Sequence, residues 1–426
     1  MANWTRIGLT LGAVASAASV VAIAWACGGY GDFDLADRAD ELRAAGPDGL
    51  QTALAAYDAA SDEEHRAELA AIVDLVAQQR GAVVSRLYWY TDLDAAQKAA
   101  AAAGKPILSL RLLGRLTDEY SCANSRFFRT ALYSNREVSA YLRDHFVLHW
   151  KTVRPVPRIT IDFGDGRQLD RTVTGNSVHY ILDSNGTPLD ALPGMYGPDA
   201  FLAWLERGFD QLGLSPLTAC YDPERLIKYH QQRLAAIDEQ FAGDTAAAGV
   251  AALALAEPEF QRVPTAAAAA RRAFSKTAVE APLVAVTTGD RVEDRLSDDQ
   301  WQAIAALHGE EAQLDESSRA VIRRELPDAV AAGARAGTKR VVEDPLLRIV
   351  QSFESSIALD TVKNEYLLHR QIHQWFVAGD VPADLDVLNE RVYAELFLTP
   401  SDDPWLGLAP ADAYTALDGG GLTLQQ

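Results

Sequence analysis

The sequence predicts an α/β domain, a mixed sheet with flanking helices, set between a mainly α-helical N-terminal lead-in and an α-helical C-terminal domain. Three observations carry that expectation. Between Leu87 and Leu212, apolar runs with β-branched residues alternate with helical stretches in the order strand, helix, strand, antiparallel hairpin, helix. From Phe33 to Gly81 the apolar residues recur at helical spacing, and from Pro223 onward the chain is again mostly helical. A length of 426 residues exceeds what one small core organises, so on the order of two to three domains are expected. The boundaries fall at 1–26, 27–82, 83–213 and 214–426.

In the lead-in, Leu35, Leu42, Leu50, Leu54 and Tyr57 mark short amphipathic helices, punctuated by Gly46-Pro47 and Gly49. Glu63 to Gln79 forms a longer helix with Leu69, Ile72, Val73 and Val76 on one side. In the α/β region Asp92 caps a helix from Leu93 to Ala103, Gly104 closes it, and Pro106 opens the strand Ile107 to Leu112. A loop leads to Ser121-Cys122 and a helix ending near Tyr133. Ser134-Asn135-Arg136-Glu137 reads as a capping box with Ser134 as the cap, starting a helix through Arg143. Phe146 to Trp150 is apolar almost throughout and reads as a buried strand.

Two hairpins follow. Ile159 to Phe163 alternates, turns at Gly164-Asp165-Gly166 and returns from Leu169 to Val173. Val178 to Leu182 and Pro188 to Leu192 flank Asn185-Gly186, a strong hairpin-turn pair. Gly197 to Gly208 closes the region as a helix. Beyond it lie the Ala-rich segments Thr245 to Leu255 and Thr265 to Arg272, good helix formers that specify little packing. Glu343 to Val377 is the most strongly patterned helical stretch, and the C-terminus is loop-like around Pro400, Pro404 and Gly419-Gly420-Gly421.

Acidic residues outnumber basic ones by 59 to 39, a net charge of −20. That balance argues against nucleic acid as a partner and against electrostatic binding to anionic lipid. The N-terminus carries a different signal. Ile7 to Ala26 holds no charged residue and is long enough to span a bilayer as a helix. Ala24-Trp25-Ala26 suits a signal-peptidase cut before Cys27, Cys27 suits lipidation, and an uncleaved anchor is the third reading. Each places the remainder outside the cytoplasm, in the periplasm or cell envelope, held at the membrane by the N-terminal segment or by lipid. The three cysteines, Cys27, Cys122 and Cys220, are not a disulfide framework, although Cys122 and Cys220 could pair in an oxidising compartment.

Tyr88-Trp89-Tyr90, Gly104-Lys105-Pro106-Ile107-Leu108, Phe146-Val147 and Ile181-Leu182-Asp183-Ser184-Asn185-Gly186 follow one another at a telling spacing. In that order they resemble the exported thioredoxin-like proteins, over about 125 residues from Leu87 to Leu212. The resemblance implies a thioredoxin fold in which a core strand leads to Cys-x-x-Cys at a helix N-terminus. The matching stretch is Cys122-Ala123-Asn124-Ser125, so the second cysteine is serine. The family's cis-proline position matches Ser177, and His179 stands on the strand that in the family faces the active site. The loop Gly114 to Tyr120 is longer than the family's and lacks the tryptophan that precedes its motif. These departures point away from dithiol oxidoreductase activity. The resemblance implies no cofactor.

A cysteine at a helix N-terminus meets the positive end of the helix dipole, which favours thiolate, and Arg126 and Arg129 on the same helix can add to that. A Cys122 thiolate can attack a disulfide, with Ser125 as a hydrogen-bonding neighbour. Ser125 cannot resolve the mixed disulfide, because exchange needs a thiolate. Turnover would use an external thiol, in a monothiol or isomerase-like mode acting on protein thiols or disulfides; a sulfenic-acid peroxide sensor is a further form. The other reading is a redox-inactive interaction or scaffold protein that keeps the fold and binds an unidentified protein partner. A third is a disulfide clamp between Cys122 and Cys220.

Glu365, His369 and His373 stand at i, i+4 and i+8, on one helix face, where they could ligate a metal. Tyr366, Leu367, Leu368, Ile372, Trp375 and Phe376 surround them, so a packed helix with partly buried histidines is the better explanation, and no metal site is expected. His145 and His149 flank an apolar strand. Gly164-Asp165-Gly166 is a turn, not a phosphate loop.

Overall fold

A computed structural model describes residues 35–173, 175–214, 222–250, 296–325, 345–406 and 408. Ile7 to Ala26, Cys27, Cys220, Thr265 to Arg272 and Gly419-Gly420-Gly421 lie outside the described residues. The chain is a mixed helix-and-sheet protein that divides into two compact units. One takes the described residues to Ala77 with Gly81–Tyr88; the other takes Gln78–Arg80 and the described residues from Trp89.

The first unit is helical: α1 (Leu35–Ala44), α2 (Pro47–Ala59), α3 (Glu63–Ala77) and the short α4 (Ala82–Ser85). Their apolar stripes meet in one core that includes Leu42, Leu50, Leu54, Leu69, Ile72, Val73 and Val76. Asp74 accepts from Gly81 N and Ala82 N, which ties the turn after α3 to its last full turn.

The second unit is built on a five-stranded sheet: β1 (Trp89–Tyr90), β2 (Ile107–Leu113), β3 (Val147–Arg154), β6 (Ser177–Leu182) and β7 (Pro188–Pro193). The spatial order is β1-β3-β2-β6-β7. β1, β3 and β2 run parallel; β6 pairs antiparallel with both β2 and β7. Every residue of β2, β6 and β7 is buried, so their polar members, Ser109, Arg111, Ser177, His179 and Asp190, need partners inside the fold. α5 (Leu93–Ala103) follows β1, with Asp92 accepting from Ala95 N and Gly104 closing it in the left-handed conformation. After β2 come α6 (Ala123–Phe127), a π-turn over Phe128–Leu132, and α7 (Arg136–His145). The cap of α7 differs from the expected one. Asn135 accepts from Glu137 N and Val138 N, while Ser134 is buried, donates to Thr130 O and meets Ser318 Oγ at 3.0 Å. Tertiary packing draws Ser134 inward, and its neighbour takes the helix end.

β4 (Arg158–Asp162) and β5 (Gln168–Thr172) form a separate two-stranded hairpin between β3 and β6. α8 (Pro198–Leu212) follows β7. Then come α9 (Pro223–Ala247), α10 (Asp298–Ala305), α11 (Glu316–Glu325) and α12 (Pro345–Lys363), continued by a π-turn over Asn364–His369. α13 (Arg370–Ala378) and α14 (Leu385–Arg391) complete the set, with a last π-turn over Val392–Leu396. These helices belong to the same compact unit as the sheet. Asn364 Nδ2 donates to Met195 O at 2.8 Å, Gly197 N donates to Thr361 Oγ1 at 2.8 Å, and the buried Arg111 of β2 pairs with Asp386 at 3.0 Å. Among the described residues no helix is long and apolar enough to cross a membrane.

Candidate functional site

Cys122 stands where sequence reasoning put it, at the N-cap of α6 immediately beyond the loop that leaves β2. It is a free thiol with 0% of its surface exposed. Its Sγ lies 3.6 Å from Ser177 Oγ and 3.8 Å from Asn176 O. Cys122 and Ser177, the residue at the family's cis-proline position by the resemblance, therefore meet in space.

The other expected neighbours are engaged elsewhere. Ser125 Oγ donates to Cys122 O at 3.0 Å, which closes the first helical turn, and Ser125 is itself fully buried. Arg126 donates to Thr172 Oγ1 at 3.1 Å, and Arg129 reaches Leu116 O and Ser121 Oγ, both at 3.3 Å. His179 meets the Tyr133 hydroxyl through Nε2 at 2.8 Å and packs against Phe128 and Phe201. Burial lowers its pKa to about 3, so it is a neutral packed imidazole at physiological pH. Two features wall off the thiol. A Cβ placed on Gly175 would stand 2.2 Å from Cys122 Cβ, so only glycine lets that backbone lie so close. Tyr393, from the last π-turn, is buried and donates to Asn176 O at 2.8 Å, the carbonyl that also faces the sulfur.

A second constellation lies among β7, α9 and the segment from Asn364 to Ala378. Glu365, His369 and His373 do share one helical face, and the fold adds Asp190 and His230 to it. His369, fully buried, meets Glu365 Oε2 through Nδ1 at 2.8 Å and Asp190 Oδ1 through Nε2 at 3.4 Å. Burial alone would lower its pKa, but the carboxylates of Glu365 and Asp190 override that and lift it to about 9. Burial would likewise raise Glu365, yet His369, Arg233 and Arg207 bring it down to about 2. Asp190, which burial would raise, is held well below the usual carboxylate range by His369. Its oxygens also accept from Trp204 Nε1 at 2.9 Å, Tyr229 OH at 2.7 Å and Ala191 N at 2.8 Å. Arg233 pairs with Glu365 at 3.1 Å. A cavity of about 340 Å³ opens beside the cluster, lined in part by Tyr196, Trp204, Arg207, Arg233 and Glu365.

Sequence reasoning found the helix face that carries Glu365, His369 and His373 but not Asp190, His230, Trp204 or Tyr229. Asp190 in the apolar run Pro188 to Leu192 is the one local signal, because a carboxylate inside a buried strand needs partners. His230 carries no such mark. No protein-family model, no curated protein and no solved structure matches this chain.

Proposed function

We propose that this chain is an exported, envelope-associated protein built on a thioredoxin-like domain that serves as an interaction scaffold, with no catalysis at Cys122. The observation that carries the reading is the complete burial of Cys122 beneath Gly175, Ser177 and the Tyr393 segment. A nucleophilic thiol must reach its substrate, and this one meets only its own chain. Support for the thioredoxin-like fold comes from the strand order, three parallel strands followed by an antiparallel hairpin, with Cys122 capping the helix after β2. The uncharged stretch Ile7 to Ala26 supports export and attachment at the envelope.

Monothiol exchange is the second reading, favoured by the same helix-capping position and by the Ser177 hydroxyl beside the sulfur. It requires the Val392–Leu396 turn to move away. Alkylation of the native full-length chain over a range of pH, read peptide by peptide by mass, separates the two. The scaffold reading expects Cys122 to stay unmodified until denaturant unfolds the chain. Prompt labelling of Cys122 in the folded protein sinks it and supports monothiol exchange. Ser125→Cys is expected to give no disulfide reductase activity, because position 125 is as buried as position 122.

A further inference from the structure

We propose that Asp190, His230 and His373 form a buried binding site for a divalent transition metal ion of the zinc class. The three groups are buried, and one ligand-capable atom from each lies within 4.8 Å of the others. They come from strand β7, helix α9 and helix α13, so the site joins the edge strand of the sheet to two of the helices packed on it.

The chemistry of the histidine pair leads to a metal. His230 Nε2 lies 3.0 Å from Leu189 O. A carbonyl only accepts, so Nε2 carries the hydrogen and Nδ1 presents its lone pair. Metal-ligating histidines are oriented in this way, with the far nitrogen donating to a backbone carbonyl or a carboxylate. That lone pair faces His373 Nδ1 at 2.7 Å. A hydrogen on His373 Nδ1 satisfies the contact but leaves Nε2 a bare lone pair. Nε2 has no hydrogen-bond partner among the described residues, and His373 is fully buried. Moving the hydrogen to Nε2 instead leaves two lone pairs facing each other and a buried donor unmatched. Protons alone therefore satisfy no assignment of these four nitrogens. A cation between the two Nδ1 atoms takes both facing lone pairs, with the hydrogen of His373 then on Nε2.

The surroundings have the form of an outer ligand shell. Asp190 is oriented by Trp204, Tyr229 and Ala191 N. His369 meets Glu365 through Nδ1 and Asp190 Oδ1 through Nε2, which further orients the Asp190 carboxylate. Two imidazoles and one carboxylate are ligand types suited to zinc. Zinc–nitrogen bonds of about 2.0–2.1 Å need the facing nitrogens to separate by roughly half an ångström. All three ligands are at 0% exposure, so the site is shut off from bulk solvent.

The test uses the full chain stripped of metal with a chelator and then titrated with Zn²⁺ and with Co²⁺. One tight equivalent per chain is expected, together with a rise in Tm on Zn²⁺ addition and the intense visible bands of tetrahedral Co²⁺. His373→Gln and His230→Gln are each expected to weaken Zn²⁺ binding by about 100-fold or more and to abolish the Co²⁺ bands. The wild-type spectrum and Tm shift need no variant, so a misfolded mutant leaves the test intact. A stripped chain that takes up no stoichiometric Zn²⁺, or whose Co²⁺ spectrum is octahedral and survives His373→Gln, overturns the proposal. Alkylation of Cys122 reports on a different part of the fold, so either proposal can fail without the other.

Discussion

His308 shows how a single buried side chain sets a pH dependence. Its Nδ1 lies 2.9 Å from Glu311 Oε1 and its Nε2 lies 2.6 Å from Asp244 Oδ2, and both nitrogens donate only when the ring is protonated. The hydrogen bond to Glu311, opposed by burial and joined by Asp244, raises His308 from 6.5 to about 9. Tyr366 also donates to Asp244, which keeps that carboxylate in place. A folded pKa above the unfolded one contributes stability that is complete below pH 6.5 and lost as the pH climbs through about 9. Glu311 is 45% exposed, so solvent screens part of the effect and roughly 2 kcal/mol remains. Urea unfolding at pH 6 and pH 10 should show the wild type losing about that much more than His308→Gln. Equal losses in the two proteins would mean that His308 is not charged in the fold.

At the scale of an element, the start of α7 turns on which residue takes the orphan amides of its first turn. Asn135 accepts from both Glu137 N and Val138 N at 3.0 Å. Asn135→Ala should therefore cost about 1 kcal/mol and speed amide exchange at Glu137 and Val138. Ser134→Ala should leave those two amides as protected as before, since Ser134 bonds Thr130 O and Ser318 Oγ. The opposite exchange pattern would restore the Ser134 cap that the local sequence suggests. The motif was legible in the sequence; which of two adjacent polar residues used it was not, because Ser318 lies 184 positions away.

For the whole molecule, the sheet depends on the helices that follow it. Arg111 is 3% exposed and pairs with Asp386. Tyr180 donates to Asn389 Oδ1 at 3.3 Å, and Asp190 relies on Tyr229 and His369. A chain ended after Leu214 keeps every strand but strands these groups. Each buried polar group left unpaired costs about 1–3 kcal/mol, more for a charge. Their sum is comparable to a whole domain's stability of about 5–15 kcal/mol. The shortened chain should show no cooperative urea transition and weak near-UV circular dichroism. A transition at the full-length midpoint would show that the sheet stands without its helices.

The sequence by itself determined the main strands and helices of the α/β region and their order in the chain, because periodicity, caps and turn residues act over one to four positions. The helix from Leu93 to Ala103, the hairpin around Asn185-Gly186 and the shared face of Glu365, His369 and His373 are all of that kind. It also marked Cys122 as a helix-capping thiol. Only the tertiary structure decided that this thiol is shut beneath Gly175 and Ser177, and that His230 and Asp190 meet a helix 143 and 179 residues further along. Contacts at such separations depend on how whole elements pack, and no local pattern encodes which polar side chain will find its partner inside the packed core.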